Sequence, residues 1–133
     1  GGNHRFGLYD MILIKDNHID AAGGINQVLN RVDVYLKENK LDLEVEIETR
    51  SLKDVTEVLE NGKCNRIMLD NFTPSMTREA VGLISGKFEV ESSGGITLAT
   101  VRDYAESGVD FISVGALTHS VKSFDMSLKI KAN

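Results

Sequence analysis

The chain has 133 residues, of which 41% are hydrophobic and 26% charged, with 12 glycines, one proline and no tryptophan. This composition is globular, too apolar for a disordered segment, and the length fits one domain. Twenty acidic against 15 basic residues give a net charge of −5, which argues against a general nucleic-acid surface, since such surfaces are basic overall. No apolar run approaches the roughly 20 residues of a membrane-spanning helix, so we expect no membrane partner either.

The first half of the chain is predicted to contain two strands, each followed by a helix. Met11–Ile14 and Leu43–Ile47 are short runs of β-forming residues, which predict strands. Apolar residues recur every three or four positions over Ile25–Leu36, as on one face of a helix. A second helix is predicted over Leu52–Leu59, with the hydroxyl of Ser51 as its N-cap.

The second half continues the same alternation. Ile67–Leu69 and Phe88–Val90 predict the third and fourth strands, and between them Thr73 and Pro74 open a helix, with proline at the first helical position.

A further helix and a fifth strand complete the predicted series. Thr97 is expected to cap a helix whose apolar face runs from Leu98 to Ala105, and Gly108 is placed to end it. Phe111–Val114 predicts the fifth strand, and the residues after it form a weaker tail with no assigned element. The single cysteine, Cys64, lies in a predicted loop and fits a reducing compartment.

The predicted order β, α, β, α, β, α, β, α, β indicates an α/β fold with parallel strands joined by right-handed crossovers. An open doubly wound sheet and a (β/α) barrel both fit this order. Polar groups gathered at the C-terminal ends of successive strands favour the barrel. A complete barrel needs about 250 residues and eight strands, so we expect an incomplete TIM-like barrel whose N-terminal part is absent from the chain.

Three polar clusters are candidates for chemistry, and the first is cationic. His4, Arg5, Lys15 and His18 lie within fifteen positions of an otherwise acidic chain, which predicts a local anion site. Solvated loop charge is the competing interpretation.

The second cluster is acidic. Glu44, Glu46 and Glu48 alternate along one predicted strand and therefore share one face. If that face is buried, a metal or polar ligand must compensate the carboxylates, and Mg²⁺ shared with Asp70 is the implied ion. An exposed polar face on an edge strand is the alternative.

The third cluster consists of two glycine-containing loops, Ser92–Thr97 and Gly115–His119. Glycine lets backbone N–H groups approach an anion, and the helix expected after the first loop would add the positive end of its dipole. Two such loops after the last predicted strands indicate a phosphate site.

These motifs together resemble the quinolinate phosphoribosyltransferase family, also called nicotinate-nucleotide pyrophosphorylase (carboxylating). The run from His4 to His18 is similar, without a gap, to the family signature HRxGLxDxxLIKDNH. The segments Glu46–Glu48, Leu69–Asn71, Ser92–Ile96 and Val114–Ser120 follow in the family's order. The resemblance implies that residues 1–133 are the C-terminal portion of an α/β-barrel catalytic domain, which follows an N-terminal sandwich domain in the family.

The resemblance implies transfer of a phosphoribosyl group from phosphoribosyl pyrophosphate to quinolinate, with loss of CO₂, on the de novo route to NAD. It implies that His4, Arg5 and Lys15 bind the quinolinate carboxylates, with Lys15 also near the pyrophosphate. Glu48 and Asp70 are implied to hold the ribose hydroxyls and Mg²⁺.

The same resemblance implies a 5-phosphate cradle and an assembly. The cradle is implied to consist of Ser93, Gly94, Gly95, Gly115 and His119. Family members form homodimers or higher homo-oligomers, and a plant-type resemblance leaves the plastid open beside the cytoplasm.

Two other functions compete with this one. A phosphosugar lyase or isomerase would use Lys15 as a Schiff base, and an inactive phosphate-binding fragment would bind ligand without turnover.

Overall fold

The computed structural model describes residues 11–116 and 126–132, which form one six-stranded sheet and five helices. The elements are, in chain order, β1 (Met11–Ile14), α1 (Asp16–Ala22), α2 (Ile25–Glu38), β2 (Glu44–Thr49), α3 (Leu52–Asn61), β3 (Arg66–Asp70), α4 (Pro74–Ile84), β4 (Glu89–Ser93), α5 (Val101–Ala105), β5 (Phe111–Ala116) and β6 (Met126–Lys131).

The strands lie in the sheet in the same order as in the chain. β1 to β5 are parallel, and β6 is antiparallel to β5. Each helix from α1 to α5 packs against the next one, so the helices form one continuous layer. The predicted α/β class with parallel strands is confirmed, and the sequential order without a switch point is the barrel-type winding rather than the doubly wound one.

Alternation along the strands separates a helix-covered face from an open face. Val45 and Ile47 point into the helix layer and are buried, whereas Glu46 and Glu48 point to the open face. The buried apolar residues form a single core between sheet and helices, consisting of Ile14, Ile25, Val28, Leu29, Val45, Ile47, Val55, Val58, Ile67, Leu69, Phe72, Ala80, Ile84, Val90, Ile96, Val109, Ile112 and Val114. None of the helices in the described ranges is long and apolar enough to cross a membrane.

Two predicted helix starts are confirmed in atomic detail. The Ser51 hydroxyl accepts a hydrogen bond from the Asp54 N–H at 3.1 Å, and the Thr73 hydroxyl accepts one from the Met76 N–H at 3.1 Å, with Pro74 at the first helical position. Both hydroxyls satisfy a backbone donor that the helix itself leaves without a partner.

The predicted start of the last helix is wrong. α5 begins at Val101, after a turn over residues 97 to 100 in which the Thr97 carbonyl accepts hydrogen bonds from the N–H groups of Thr100 at 3.1 Å and Val101 at 2.9 Å. Leu98, expected on the apolar face, is 76% exposed.

Two elements escaped the sequence analysis. α1 has only seven residues and none of them is buried, so it leaves no clear helical periodicity. β6 lies in the tail that was left unassigned, and it pairs antiparallel with β5 through Ile112 opposite Ile130 and Ser113 opposite Lys129.

The Ser51 cap gives a direct test of the fold. Replacing Ser51 by alanine leaves the Asp54 N–H without its acceptor, so we expect a loss of about 1 kcal/mol in the free energy of unfolding. The measurement is the urea midpoint of the chain. Ser75→Ala, which changes an exposed serine near the start of α4, should stay within about 0.5 kcal/mol of the original chain, and equal losses in both variants would contradict the cap assignment.

Candidate active site

A cavity of about 480 Å³ lies on the open face at the C-terminal ends of the strands. It is lined by Leu13, Lys15, Asp16, Glu46, Glu48, Met68, Asp70, Glu91, Ser93, Ser113 and Lys129. The strand register explains the convergence, because Glu48 is level with Met68, and Asp70 is level with Ser93. Four predicted site residues, Lys15, Glu48, Asp70 and Ser93, therefore share one cavity.

Glu48 and Asp70 form a carboxylate pair on neighbouring strands. Burial, and then the charge of Asp70, raise the pKa of Glu48 above its usual range. The Asp16 N–H donates to Glu48 Oε2 at 3.4 Å and favours its charged form. Both carboxylates line the cavity. A nearby cation would stabilise their two negative charges.

Arg50, which the sequence analysis did not single out, supplies such a cation. Its Nη2 lies 2.8 Å from Asp16 Oδ2, and its Nε lies 3.8 Å from Glu48 Oε1 and 3.9 Å from Asp70 Oδ2. The guanidinium thus faces carboxylates from three different segments. The only signal in the sequence is its position two residues after Glu48, which continues the same alternation.

The glycine loop after β4 fits closely against the end of β3. Gly94 has φ +91°, and a Cβ there would lie 2.6 Å from Asn71 Oδ1 and 2.8 Å from Asp70 Oδ1. The Asn71 N–H donates to the Ser93 carbonyl at 2.9 Å, which fixes the two loops together. Within the described ranges, the N–H groups of Gly94 and Gly95 make no hydrogen bond, so both are available to an anion.

Two details of the predicted phosphate cradle differ in the structure. α5 starts at Val101, after the Thr97–Thr100 turn, so no helix N-terminus follows Gly95 directly, and the expected helix-dipole contribution is wrong. The Gly115 N–H donates to the Ile96 carbonyl at 3.0 Å. Gly115 therefore ties the loop after β4 to β5 with its own N–H, although it lies where the cradle was expected.

The cationic cluster is only partly described. His4, Arg5 and His119 lie outside the described residues. Lys15 lines the cavity, but Nδ1 of His18 accepts a hydrogen bond from the Lys15 N–H at 3.0 Å. His18 therefore serves as an acceptor at the start of α1, which does not support its expected role as a cation.

Beneath the site, Glu91 is the centre of a buried ionic floor that comprises Glu46, Arg66, Glu91, Ser113 and Lys129. Lys129 Nζ lies 2.9 Å from Glu91 Oε1, and the Ser113 hydroxyl donates to Glu91 Oε2 at 2.9 Å. Arg66 Nη1 lies 3.7 Å from the same carboxylate and stacks 4.0 Å above the Phe111 ring. The two cations and the hydroxyl together compensate a carboxylate that is only 1% exposed, and the Phe111 ring packs against the Arg66 cation.

The floor resolves the question left by the three glutamates of β2. Glu46 is 2% exposed and lies in an interior strand, so the edge-strand alternative is wrong for it. Burial, and then the charge of Glu91, raise its pKa to about 8. Glu44, in contrast, is exposed.

Cys64 lies in the predicted loop, and burial raises its thiol pKa to about 12, which makes it a poor nucleophile.

The comparison with known families shows which family the chain belongs to. A family model described as "Quinolinate phosphoribosyl transferase, C-terminal domain" matches residues 1–129. The chain belongs to this family. The predicted resemblance is confirmed by a match that extends over nearly the whole chain.

Individual relatives agree with the family match. A Nicotiana tabacum protein named quinolinate phosphoribosyltransferase (decarboxylating) 1b is 54% identical over 98% of this chain and 41% of its own length. An Arabidopsis thaliana nicotinate-nucleotide pyrophosphorylase (carboxylating), chloroplastic, is 53% identical over the same shares. The solved structure of the nicotinate-nucleotide pyrophosphorylase from Francisella tularensis has a TM-score of 0.73 and 37% identity, over 98% of this chain and 45% of that one.

The chain spans about two-fifths of the length of the curated relatives it matches. These relatives are named as phosphoribosyltransferases or pyrophosphorylases, and none of these names is that of a lyase or isomerase. The lyase or isomerase alternative is therefore not favoured.

The donor set at the end of β2 and β3 fits a magnesium ion. Among residues 11–116 and 126–132, no three histidine, cysteine or carboxylate side chains are grouped as a metal cage. Mg²⁺ does not require one, because it commonly takes one or two carboxylates and completes its shell with water and substrate oxygens. Glu48 and Asp70 are the side chains that could hold such an ion.

Gly94 provides a test of the glycine loop. Gly94→Ala combines a strained φ with a methyl group within 3 Å of Asn71 and Asp70, so we expect a loss of about 1–3 kcal/mol and weaker phosphate binding. Urea unfolding and phosphate titration by NMR measure both. Gly82→Ala is the control, because its added methyl group meets nothing within 4 Å. An unchanged Gly94→Ala variant would contradict the close fit.

Glu46 provides a pH test of the ionic floor. The folded chain keeps a proton on Glu46 up to about pH 8, whereas the unfolded chain releases it near pH 4.5. The stability from this proton is fully present below about pH 4.5 and is lost as the pH rises through about 8. We expect Glu46→Gln to flatten the unfolding free energy across that window, and Glu44→Gln, at an exposed site on the same strand, to leave the slope as it is.

Proposed function

We propose that the protein containing this chain transfers the phosphoribosyl group of phosphoribosyl pyrophosphate to quinolinate, with decarboxylation, yielding nicotinate mononucleotide, pyrophosphate and CO₂. The observation that carries the proposal is the convergence of Lys15, Glu48 and Asp70 with the loop at Gly94 around one cavity. In the family, the corresponding motif residues form the substrate site, and here they come from the ends of four neighbouring strands. The relatives' names support the same activity.

Each end of the cavity suits one part of the substrates. Lys15 offers a positive charge for the quinolinate carboxylates and the pyrophosphate. The signature assigns His4 and Arg5, which lie outside the described residues, to the same carboxylates. Glu48 and Asp70 accept hydrogen bonds from the ribose hydroxyls. Their negative charge also stabilises the positive charge that develops at the anomeric carbon.

The 5-phosphate is assigned to the opposite side of the cavity. The open N–H groups of Gly94 and Gly95 lie beside Ser93, and His119 is assigned there from its motif. Gly115 acts indirectly, by holding the Ile96 carbonyl and with it the loop.

The reaction then follows from positioning and charge. The quinolinate ring nitrogen forms a bond to the anomeric carbon while the bond from that carbon to the pyrophosphate oxygen breaks, and pyrophosphate leaves with the electron pair. The adjacent carboxylate is lost as CO₂, and a proton takes its place on the ring. Glu48 and Asp70 would hold a Mg²⁺ ion, which would supply charge stabilisation for the pyrophosphate. The chain's own groups align two anionic substrates that would otherwise repel each other.

Assembly and compartment belong to the same proposal. We infer a homodimer or higher homo-oligomer from the family pattern. Several plant relatives carry the words chloroplastic or mitochondrial in their names, which supports an organelle, the plastid among them, as the compartment.

The experiment uses a chimera in which this chain replaces the matching segment of the Nicotiana tabacum relative. We expect quinolinate-dependent formation of nicotinate mononucleotide, and a fall in kcat of at least about 100-fold in Lys15→Ala, because an electrostatic contact in the site is lost. Lys37→Ala, an exposed lysine on α2, serves as the matched control and should keep full turnover. An inactive but folded chimera, or near-normal turnover in Lys15→Ala, would argue against the proposal.

A further inference from the structure

We propose that Arg50 is the counter-ion of the Glu48–Asp70 pair. Its single positive charge offsets part of the charge of these two carboxylates, and its guanidinium moves away when they bind a divalent cation. This inference rests on the proposed assignment of these carboxylates to Mg²⁺, and it adds a residue to which neither the family motifs nor the assigned roles give a function. Arg50 is a positioning residue in this scheme, since it acts through the two carboxylates.

The geometry gives the guanidinium one firm anchor and two loose contacts. Nη2 is held by Asp16 at 2.8 Å, which is the distance of a charge-assisted hydrogen bond. Nε lies 3.8 Å from Glu48 and 3.9 Å from Asp70, which is beyond hydrogen-bond distance. The guanidinium therefore attracts both carboxylates by charge without occupying their oxygen atoms through short bonds.

Burial shows why the pair requires a counter-ion and why Arg50 can leave. The side chains of Glu48 and Asp70 are only 11% and 18% exposed, so water compensates their charges poorly, whereas Arg50 is 58% exposed. No ion pair joins Lys15 to either carboxylate in the part of the chain that the structure describes. Because more than half of the Arg50 side chain is exposed, its guanidinium has room to turn away from Glu48 and Asp70.

Competition with a metal ion follows from these positions. A cation bound between Glu48 and Asp70 meets a positive charge about 4 Å from each carboxylate, and this repulsion weakens its binding until the guanidinium moves away. Removal of the Arg50 charge should therefore strengthen divalent-ion binding, although it removes an interaction from the metal-free protein.

The test measures binding of Mn²⁺ alone to the complete chain, by electron paramagnetic resonance of the free ion. We expect Arg50→Gln to lower the Kd about three- to tenfold at low salt, and the difference to shrink at about 0.5 M salt, where charges are screened. Arg50→Lys keeps the charge and should bind Mn²⁺ much as the original chain does. Lys53→Gln is the control, because it removes an exposed positive charge from nearby α3 and should leave the Kd unchanged.

Two outcomes overturn the inference, and they are distinguishable. If Glu48→Gln/Asp70→Asn abolishes Mn²⁺ binding but Arg50→Gln leaves the Kd unchanged or raises it, Arg50 is only a rim salt bridge to Asp16, and the metal assignment stands. If the double variant binds Mn²⁺ as well as the original chain does, the metal assignment itself fails, and the role of Arg50 fails with it. Matched circular dichroism spectra establish that the variants share one fold.

Discussion

Four charged groups of the candidate site each stand next to a residue that is buried in the hydrophobic core. Lys15 follows Ile14, Glu46 and Glu48 flank Ile47, and Asp70 follows Leu69. Because alternate side chains of a strand point to opposite faces, burial of the apolar neighbour forces the charged one onto the open face. A slip of one residue in register would exchange the two faces, so the same packing that stabilises the sheet also positions the site.

This arrangement places several carboxylates where they are largely buried from water. Two groups of cationic side chains, here called the upper and lower layers, compensate their charges. In the upper layer Arg50 faces Asp16, Glu48 and Asp70. In the lower layer Lys129 and Arg66 compensate Glu91, and Glu46 beside it has its pKa raised by burial. A buried carboxylate is costly unless it has a partner or holds a proton, and the ionic floor uses both solutions. The upper layer thus keeps its carboxylates within reach of a ligand.

The sequence alone predicted the parts that depend on local rules. The helix caps at Ser51 and Thr73, and the shared face of Glu46 and Glu48, follow from short-range geometry. The predicted start of α5 was wrong because threonine is a common N-cap residue. Whether Thr97 caps a helix or begins a turn depends on its contacts with Thr100, which the sequence does not show. Arg50 was missed because its meaning comes from carboxylates 34 residues before it and 20 residues after it in the chain.

Strand β6, in the C-terminal tail, was also missed, because its role depends on contacts with distant residues. The residues of β6 alternate between apolar and polar side chains, but a single strand pattern does not indicate which strand it pairs with or in which direction. Its pairing with β5 places Lys129 opposite Ser113 and next to Glu91. The ionic floor is therefore a property of the assembled sheet, which no single segment of the sequence contains.

The ionic floor also restricts how this sequence can diverge. Glu91 and Lys129 sit on strands that are not neighbours, with β5 and its Ser113 between them. Loss of Lys129 alone removes the nearer of the two cations that compensate the buried Glu91, whereas loss of both charges together removes that penalty and leaves a site for apolar packing. We therefore expect these two positions to drift through evolution as a pair, each substitution tolerated only in the background of the other.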